Sequence, residues 1–414
     1  MKIFVVPVPV FDSNLKVHSY KFMTKNADDL IIGGQSHRRL DGAVNPKLLE
    51  TITSIGLDTF TMGKPLFIEL NAISLLGDFQ NTLKEEPEKI RILLDETVTA
   101  DQIYIDKIKK LRENGHKIAI DLPKTVAGYE PIIELCDYIL VSQVMANHEA
   151  NRLIRRYPEK RFIASNINTY NMFDIAKGTG YNRFEGSFYR TPLTLGADTK
   201  NVSPMKIVTV QLLNAVSADD FELDEIAKIV EKDVALSISL LRKINSQTSG
   251  AKIKTIQHAA AMLGQEEVRK WVSTAAAAQL GSDKPTEINR VSLVRAKFCE
   301  NLAPLFEQER GKESLFLMGL FSLIDSMLDM SMEVALEAVG VSDYIKDALV
   351  NSKGEFFPIY EFIQFYEAAD WTNVSRFLIL YKIQPEQLYE AYIGALQWYK
   401  NMIESVEAEE AEEV

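Results

Sequence analysis

Little in this chain can be cross-linked, and little can enter a membrane. Its 414 residues hold two cysteines, Cys136 and Cys299. That is too few for a disulfide framework, so a reducing, cytoplasmic compartment is expected and each thiol reads as a small buried hydrophobe. Long apolar runs are missing as well. The segment "SLFLMGLFSLIDSML" is broken by Asp325, short of the roughly 20 residues a membrane span needs. The opening "MKIFVVPVPV" carries two prolines and no small-residue cleavage site, so it reads as a strand rather than a signal segment. No membrane insertion is expected. Positive charge is in deficit, with 46 Lys and Arg against 58 Asp and Glu and a net charge of −12. That balance excludes non-specific binding to nucleic acid or to an anionic membrane, both of which need basic surfaces.

Histidine is scarce too. The five (His18, His37, His116, His148 and His258) are scattered, and only His258 falls in the second half. One imidazole cannot build a metal site that needs several. No G-x-G-x-x-G follows any strand-like segment, which removes support for dinucleotide binding. Arg38 and Arg39 are adjacent but have no aromatic neighbour in sequence, and read as a solvated loop.

What is present changes character near residue 200. A chain of this length exceeds one ordinary core, so two or three domains are expected. In the first half, short β-branched runs alternate with helical stretches: "IFVVPV" (3–8), "PLFIEL" (65–70), "IRILL" (90–94), "KIAID" (117–121), "YILVS" (138–142) and "RFIAS" (161–165). They are nearly all apolar, as strands covered on both faces must be. From residue 65 they recur every 20 to 28 residues or so, one βα unit per interval, which predicts parallel pairing through crossover helices. Six or more such units favour a (β/α) barrel. The clearest helix is expected over 100–114, with Thr99 as N-cap and Gln102 in the reciprocal capping position.

The stretch 189–204 is rich in Thr, Pro, Gly and Asn and reads as the linker, with Ser203 capping a helix that opens on Pro204. Beyond it the periodicity is helical. Residues 233–246 place Val234, Ile238, Leu241 and Ile244 on one stripe. Residues 256–272 read as two helices stopped at Gly264. Residues 315–328 are apolar nearly all round, as in the central helix of a bundle. Asn245 reads as a turn residue at a helix C-terminus, and Trp271 and Trp371 as packing anchors. The last eleven residues hold six Glu and read as a frayed, solvated helix end. The expected division is 1–197, 198–404 and an acidic tail, 405–414.

The order of these segments resembles a known pair of domains. "PVPVFDSNLKVHSYKFMTK", "KIAIDLPK" and "SNINTYNMFDIAKGTGYNRFEGSFYRTP" together resemble an EAL domain, a TIM-like (β/α) barrel whose active members hydrolyse cyclic di-GMP. "IVEKDVALSISLLRKINSQTSGAKIKTIQHAAAMLGQEEVRKW" is similar to an HDOD domain, an all-helical module related to the HD hydrolases. The whole resembles the EAL–HDOD two-domain signalling proteins of bacteria.

Position by position, the resemblance implies a site that has lost its chemistry. Metal-assisted phosphodiester cleavage needs several oxygens converging on one or two ions and a base for the water. The Glu of the name motif falls at Lys21 and its Arg at Lys25. The Asn ligand falls at Glu69. The next ligand Glu falls at Leu93, although the second acid of that motif is kept as Glu96. The double Asp becomes Asp121–Leu122. The catalytic Lys and its following Asp fall at Leu140 and Ser142, two later Glu at Ser165 and Asn168, and a late Gln at Glu185. Asp121, at the end of the strand in "GHKIAIDLPK", is therefore read as a remnant. Lys21 is expected to pair with Asp121 or with Glu69, replacing an ion's charge with its own. In the second domain the His-Asp pair of active relatives falls at Ser322–Leu323.

The expectation is a non-catalytic signalling scaffold that acts through a protein partner or through its own domains. No catalytic residue, metal or cofactor is expected; Lys21, Glu69, Glu96 and Asp121 are vestigial mouth positions. Two alternatives remain: a receptor that binds a cyclic dinucleotide weakly without cutting it, and an active phosphodiesterase. A homodimer is left open.

Overall fold

A computed structural model describes residues 2–27, 30, 46–77, 87–123, 125–142, 148–193, 204–217, 221–247 and 253–411. Arg38, Arg39, His37, Ser203 and most of the expected linker lie outside them. By compactness the chain divides into one unit of residues 1–189 with 364–414, and a second of residues 190–363.

The first unit is a closed barrel of eight strands in sequence order. They are β1 Ile3–Asp12, β2 Val17–Asn26, β3 Leu66–Leu70, β4 Ile90–Leu94, β5 Lys117–Asp121, β6 Tyr138–Val141, β7 Arg161–Ala164 and β8 Arg183–Glu185. β1 runs antiparallel to both its neighbours, β2 and β8. All other pairs are parallel, as the spacing predicts. Two strands escape the sequence reading. β2 mixes polar and apolar residues, unlike the nearly all-apolar strands of the sequence reading, and β8 has three residues.

Side chains two apart on a strand share a face, so the inward positions form layers. The packed middle is Val10, Phe67, Leu93, Ala119, Tyr138, Leu140 and Ile163, all buried. Two residues beyond it lies the mouth, at the carboxyl ends of the parallel strands. Two residues before it lies the base.

β1 and β2 outlast their other pairings. They stay in register from Ile3↔Asn26 to Val10↔Ser19, whereas β2 meets β3 at Tyr20 and Lys21 and β1 meets β8 only at Val10–Asp12. The remainder is a two-stranded ribbon, which is not stable alone and needs cover. Phe22 on one face meets Phe60 of the helix Leu57–Thr61 at 5.4 Å between ring centroids. On the other face Phe4, fully buried, meets Tyr366, Trp371 and Tyr389 at 6.1–6.3 Å. These rings come from the C-terminal segment, which includes the helices Trp371–Leu380 and Pro385–Ala411. That packing explains why 364–414 belongs to the barrel unit, whereas the expected division gave residues up to 404 to the helical domain. Trp371 is the packing anchor it was expected to be.

The second unit is all-helical in its described residues. The helix Val234–Gln247 forms, but its buried stripe is Leu236, Leu240 and Ile244, and Ile238 is exposed. Of the expected stripe Ile244 is buried and Ile238 is not, because Leu and Ile occur on several faces of this segment. Gly264 breaks the next helix at φ 75°, as expected. Asn245 sits inside a helix rather than in a turn. Its side chain accepts from the Ile253 amide at 2.7 Å and donates to the Ile253 carbonyl at 3.0 Å. The apolar stretch 315–328 divides into Lys312–Phe321 and Ile324–Leu328. In the barrel unit, the expected capping box at Thr99 does not form. Asp101 takes the N-cap position of Gln102–Glu113, Thr99 bonds to Asp101, and Gln102 reaches Asp106 instead. Cys136 and Cys299 are buried free thiols, and burial pushes the Cys136 thiol up to about 12.

Candidate functional site

The mouth collects residues that stand two positions beyond the packed layer. Glu69 follows Phe67 on β3 and Asp121 follows Ala119 on β5. Ser142 follows Leu140 past β6, and Ser165 follows Ile163 past β7. Lys21, in register with Phe67, brings an ammonium from β2, and Glu185 ends β8.

Lys21 Nζ lies 3.4 Å from Glu185 Oε2, with 22% of the Lys21 side chain and 9% of the Glu185 side chain exposed. The Ser165 hydroxyl donates to the same Glu185 oxygen. Glu185, a buried carboxylate, is thus held by one cation and one hydroxyl, which offsets its desolvation. Asp121 accepts from the Ser142 hydroxyl at a long 3.5 Å. Burial pushes the Asp121 carboxyl up to about 6; Lys21 and the Ser142 bond pull it down, while Glu69 and Glu185 push it up. Four charges therefore share one neighbourhood, and they come from β2, β3, β5 and β8.

The expected partner of Lys21 was Asp121 or Glu69. The ion pair is with Glu185, which the sequence reading placed only at the position of a late Gln. A signal for this was available. A base where the motif has Glu and an acid where the family has Gln form a complementary exchange across strands that both flank β1. Glu69 is exposed at the rim. Glu96, exposed and two residues past β4, has its backbone carbonyl bonded by the Tyr129 hydroxyl at 3.0 Å. Leu93 and Leu140, at motif positions for an acid and a lysine, are buried in the middle layer. Asn168 accepts from the Ser187 hydroxyl at 3.0 Å.

The family resemblance implies divalent metal at such a mouth. Magnesium asks for near-octahedral oxygen ligation. Among the described residues no three His, Cys, Asp or Glu side chains stand close enough to hold an ion, and Glu185, the buried carboxylate of the mouth, already contacts an ammonium. The donor set does not fit that ion.

In the helical unit, the Ser322 hydroxyl accepts from Arg295 Nη1 at 2.9 Å and donates to the Gly319 carbonyl at 2.7 Å. Leu323 is buried. A guanidinium therefore faces the position where active relatives carry the His-Asp pair. Nearby, burial pushes the Asp325 carboxyl up, against bonds from Ser326 and the charge of Arg295. His258 is exposed on its helix. No described helix is long and apolar enough to cross a membrane.

Residues 203–339 match the HDOD domain family. An uncharacterized protein of Bacillus subtilis strain 168, YuxH, is 24% identical over 418 residues, covering 98% of this chain and 100% of that protein. The cyclic di-GMP phosphodiesterase CdgJ of Vibrio cholerae is 26% identical over 369 residues, covering 87% of this chain and 84% of that protein. Among solved structures, a manganese and cyclic di-GMP complex of Klebsiella pneumoniae BlrP1 is 17% identical with a TM-score of 0.37; the match covers 45% of this chain and 55% of that one. A cyclic di-GMP-bound standalone EAL protein of Vibrio cholerae O395 is 13% identical with a TM-score of 0.35, covering 47% of this chain and 92% of that one. The order expected from the sequence, a (β/α) barrel and then an HDOD domain, is met by the closed barrel and by the family match.

Proposed function

We propose that this chain, a closed (β/α) barrel followed by an HDOD domain, is a non-catalytic protein of cyclic di-GMP signalling. Its two hydrolase-like folds serve as surfaces for a protein partner. The observation that carries the reading is the Lys21–Glu185–Ser165 cluster. An ammonium stands among the mouth carboxylates, where hydrolysis would need a metal cage and a water-activating base. The leucines at positions 93 and 140 supply neither oxygen nor amine.

The likeness to a cyclic di-GMP phosphodiesterase over most of the chain favours one second reading, a receptor that binds this ligand without cutting it. Calorimetric titration of the full chain with cyclic di-GMP, with Mg²⁺ or Mn²⁺ present and with the products separated by chromatography, distinguishes the cases. The scaffold gives no binding heat and no linear product. Saturable heat without product establishes the receptor, and release of linear dinucleotide overturns both.

A further inference from the structure

The base of the barrel carries a charge arrangement that the mouth does not explain. Arg91 stands two residues before Leu93 on β4, Arg161 two before Ile163 on β7, and Arg183 opens β8. By the alternation of side chains all three turn inward, beneath the middle layer. Tyr138 of that layer, itself buried, receives two of them, with the Arg91 guanidinium 5.0 Å and that of Arg161 5.8 Å from its ring centre. Arg91 also lies 5.4 Å over the ring of Phe67.

The counter-charge is missing. Among the described residues no carboxylate lies within ion-pair distance of Arg91, Arg161 or Arg183. The two acids near enough to act on them electrostatically are engaged elsewhere. Asp12 accepts from the amides of Asn14 and Lys16, and Asp137 accepts from Lys117 and from the amide of Ile118. What Arg91 contacts instead is His18, its Nη1 2.8 Å from the imidazole Nδ1. A guanidinium only donates, so Nδ1 must accept and His18 is neutral. Burial, with Arg91, Arg183, Arg161 and Lys64 nearby, holds the imidazole down to about 3. The Arg183 Nε is buried without a partner, and its Nη1 reaches only the adjacent Asn182 carbonyl at 2.6 Å. Stacking on Tyr138 accounts for Arg91 and Arg161 there, and leaves Arg183 with its buried, unpartnered Nε. It does not account for three like charges gathered around a neutral ring, each carrying five donors in a rigid fork.

We propose that the base of the barrel is a binding site for a tetrahedral dianion of the phosphate class, held by Arg91, Arg161 and Arg183 at the end opposite the mouth. The fork of a guanidinium matches two oxygens of such an ion. Arg161 is exposed and Arg91 and Arg183 are half-buried, so the site is open to solvent from below. The proposal is independent of whether the mouth binds a cyclic dinucleotide.

The test uses the full chain with inorganic phosphate, at constant ionic strength set by chloride. Thermal unfolding is followed as phosphate replaces chloride, and affinity is then measured by calorimetry. A saturable rise in melting temperature that chloride does not reproduce is expected. Arg183→Gln and Arg161→Gln should each weaken phosphate about tenfold or more, whereas Lys21→Met, at the other end, should leave it unchanged. Arg161→Gln changes an exposed side chain and is the informative variant if the others fail to fold. The proposal is overturned by the absence of saturable stabilisation, by an equal effect of chloride, by unchanged affinity in the two Arg variants, or by loss of phosphate binding in Lys21→Met.

Discussion

Lys21 and Glu185 are 164 positions apart in sequence and 3.4 Å apart in the barrel. Each charge is costly to bury alone, so removing one strands the other. Lys21→Met is expected to destabilise the barrel by roughly 1–3 kcal/mol, and Lys21→Met with Glu185→Gln to recover part of that loss in urea unfolding. Two other residues couple the fold to pH with opposite signs. Asp121 has its carboxyl raised to about 6 from 3.8. Its contribution is therefore fully present below 3.8 and is lost as pH rises through about 6. Asp121→Asn should stabilise the protein above pH 6 and change little below pH 4. His18 is held down to about 3 from 6.5. The unfolded chain takes up that proton first, so stability falls as pH drops from 6.5 towards 3. His18→Gln should flatten this acid limb, provided the glutamine still accepts from Arg91. Stability measured between pH 4 and 8 in the two variants separates effects that oppose each other in the parent.

At the scale of elements, two short contacts fix the helical unit. Asn245 ties its helix to the backbone of Ile253 with two hydrogen bonds. Asn245→Ala leaves an amide and a carbonyl to find other partners and should cost about 1–3 kcal/mol. Gly319 lets the helices Thr286–Leu302 and Lys312–Phe321 approach closely. A Cβ there would stand 2.6 Å from the Arg295 carbonyl oxygen and 2.7 Å from the Ala296 Cα. Backbone cannot yield as a side-chain tip can, so Gly319→Ala should cost about 1–3 kcal/mol or more and shift the Arg295–Ser322 bond. Hydrogen exchange at the amides of Gly319 to Ile324 reads both effects.

For the molecule as a whole, the ribbon of β1 and β2 makes the barrel depend on residues from the far end of the chain, at Tyr366, Trp371 and Tyr389. Phe4→Ala empties a fully buried ring position and should cost about 3–5 kcal/mol. A chain ended at Ile363 should expose that aromatic face and bind a hydrophobic dye that the full chain does not. A truncated chain as soluble and as dye-silent as the parent would show that the barrel does not need this cover.

Much of this was legible in the sequence because it is set by local periodicity. All-apolar strands at βα spacing specify parallel crossovers, helical periodicity past residue 200 specifies the second unit, and the substitutions at Lys21, Leu93, Leu122 and Leu140 can be read one residue at a time. The phase of the stripe on Val234–Gln247 was not legible, because an apolar-rich helix offers several faces and only its neighbours choose one. Nor was the role of residues 364–414, since a helix pattern does not say which surface it covers. The partner of Lys21 and the gathering of Arg91, Arg161 and Arg183 follow from closure of the barrel. Closure brings strands distant in sequence into one ring and stacks every second residue into shared layers, so which charges meet is decided by the tertiary structure alone.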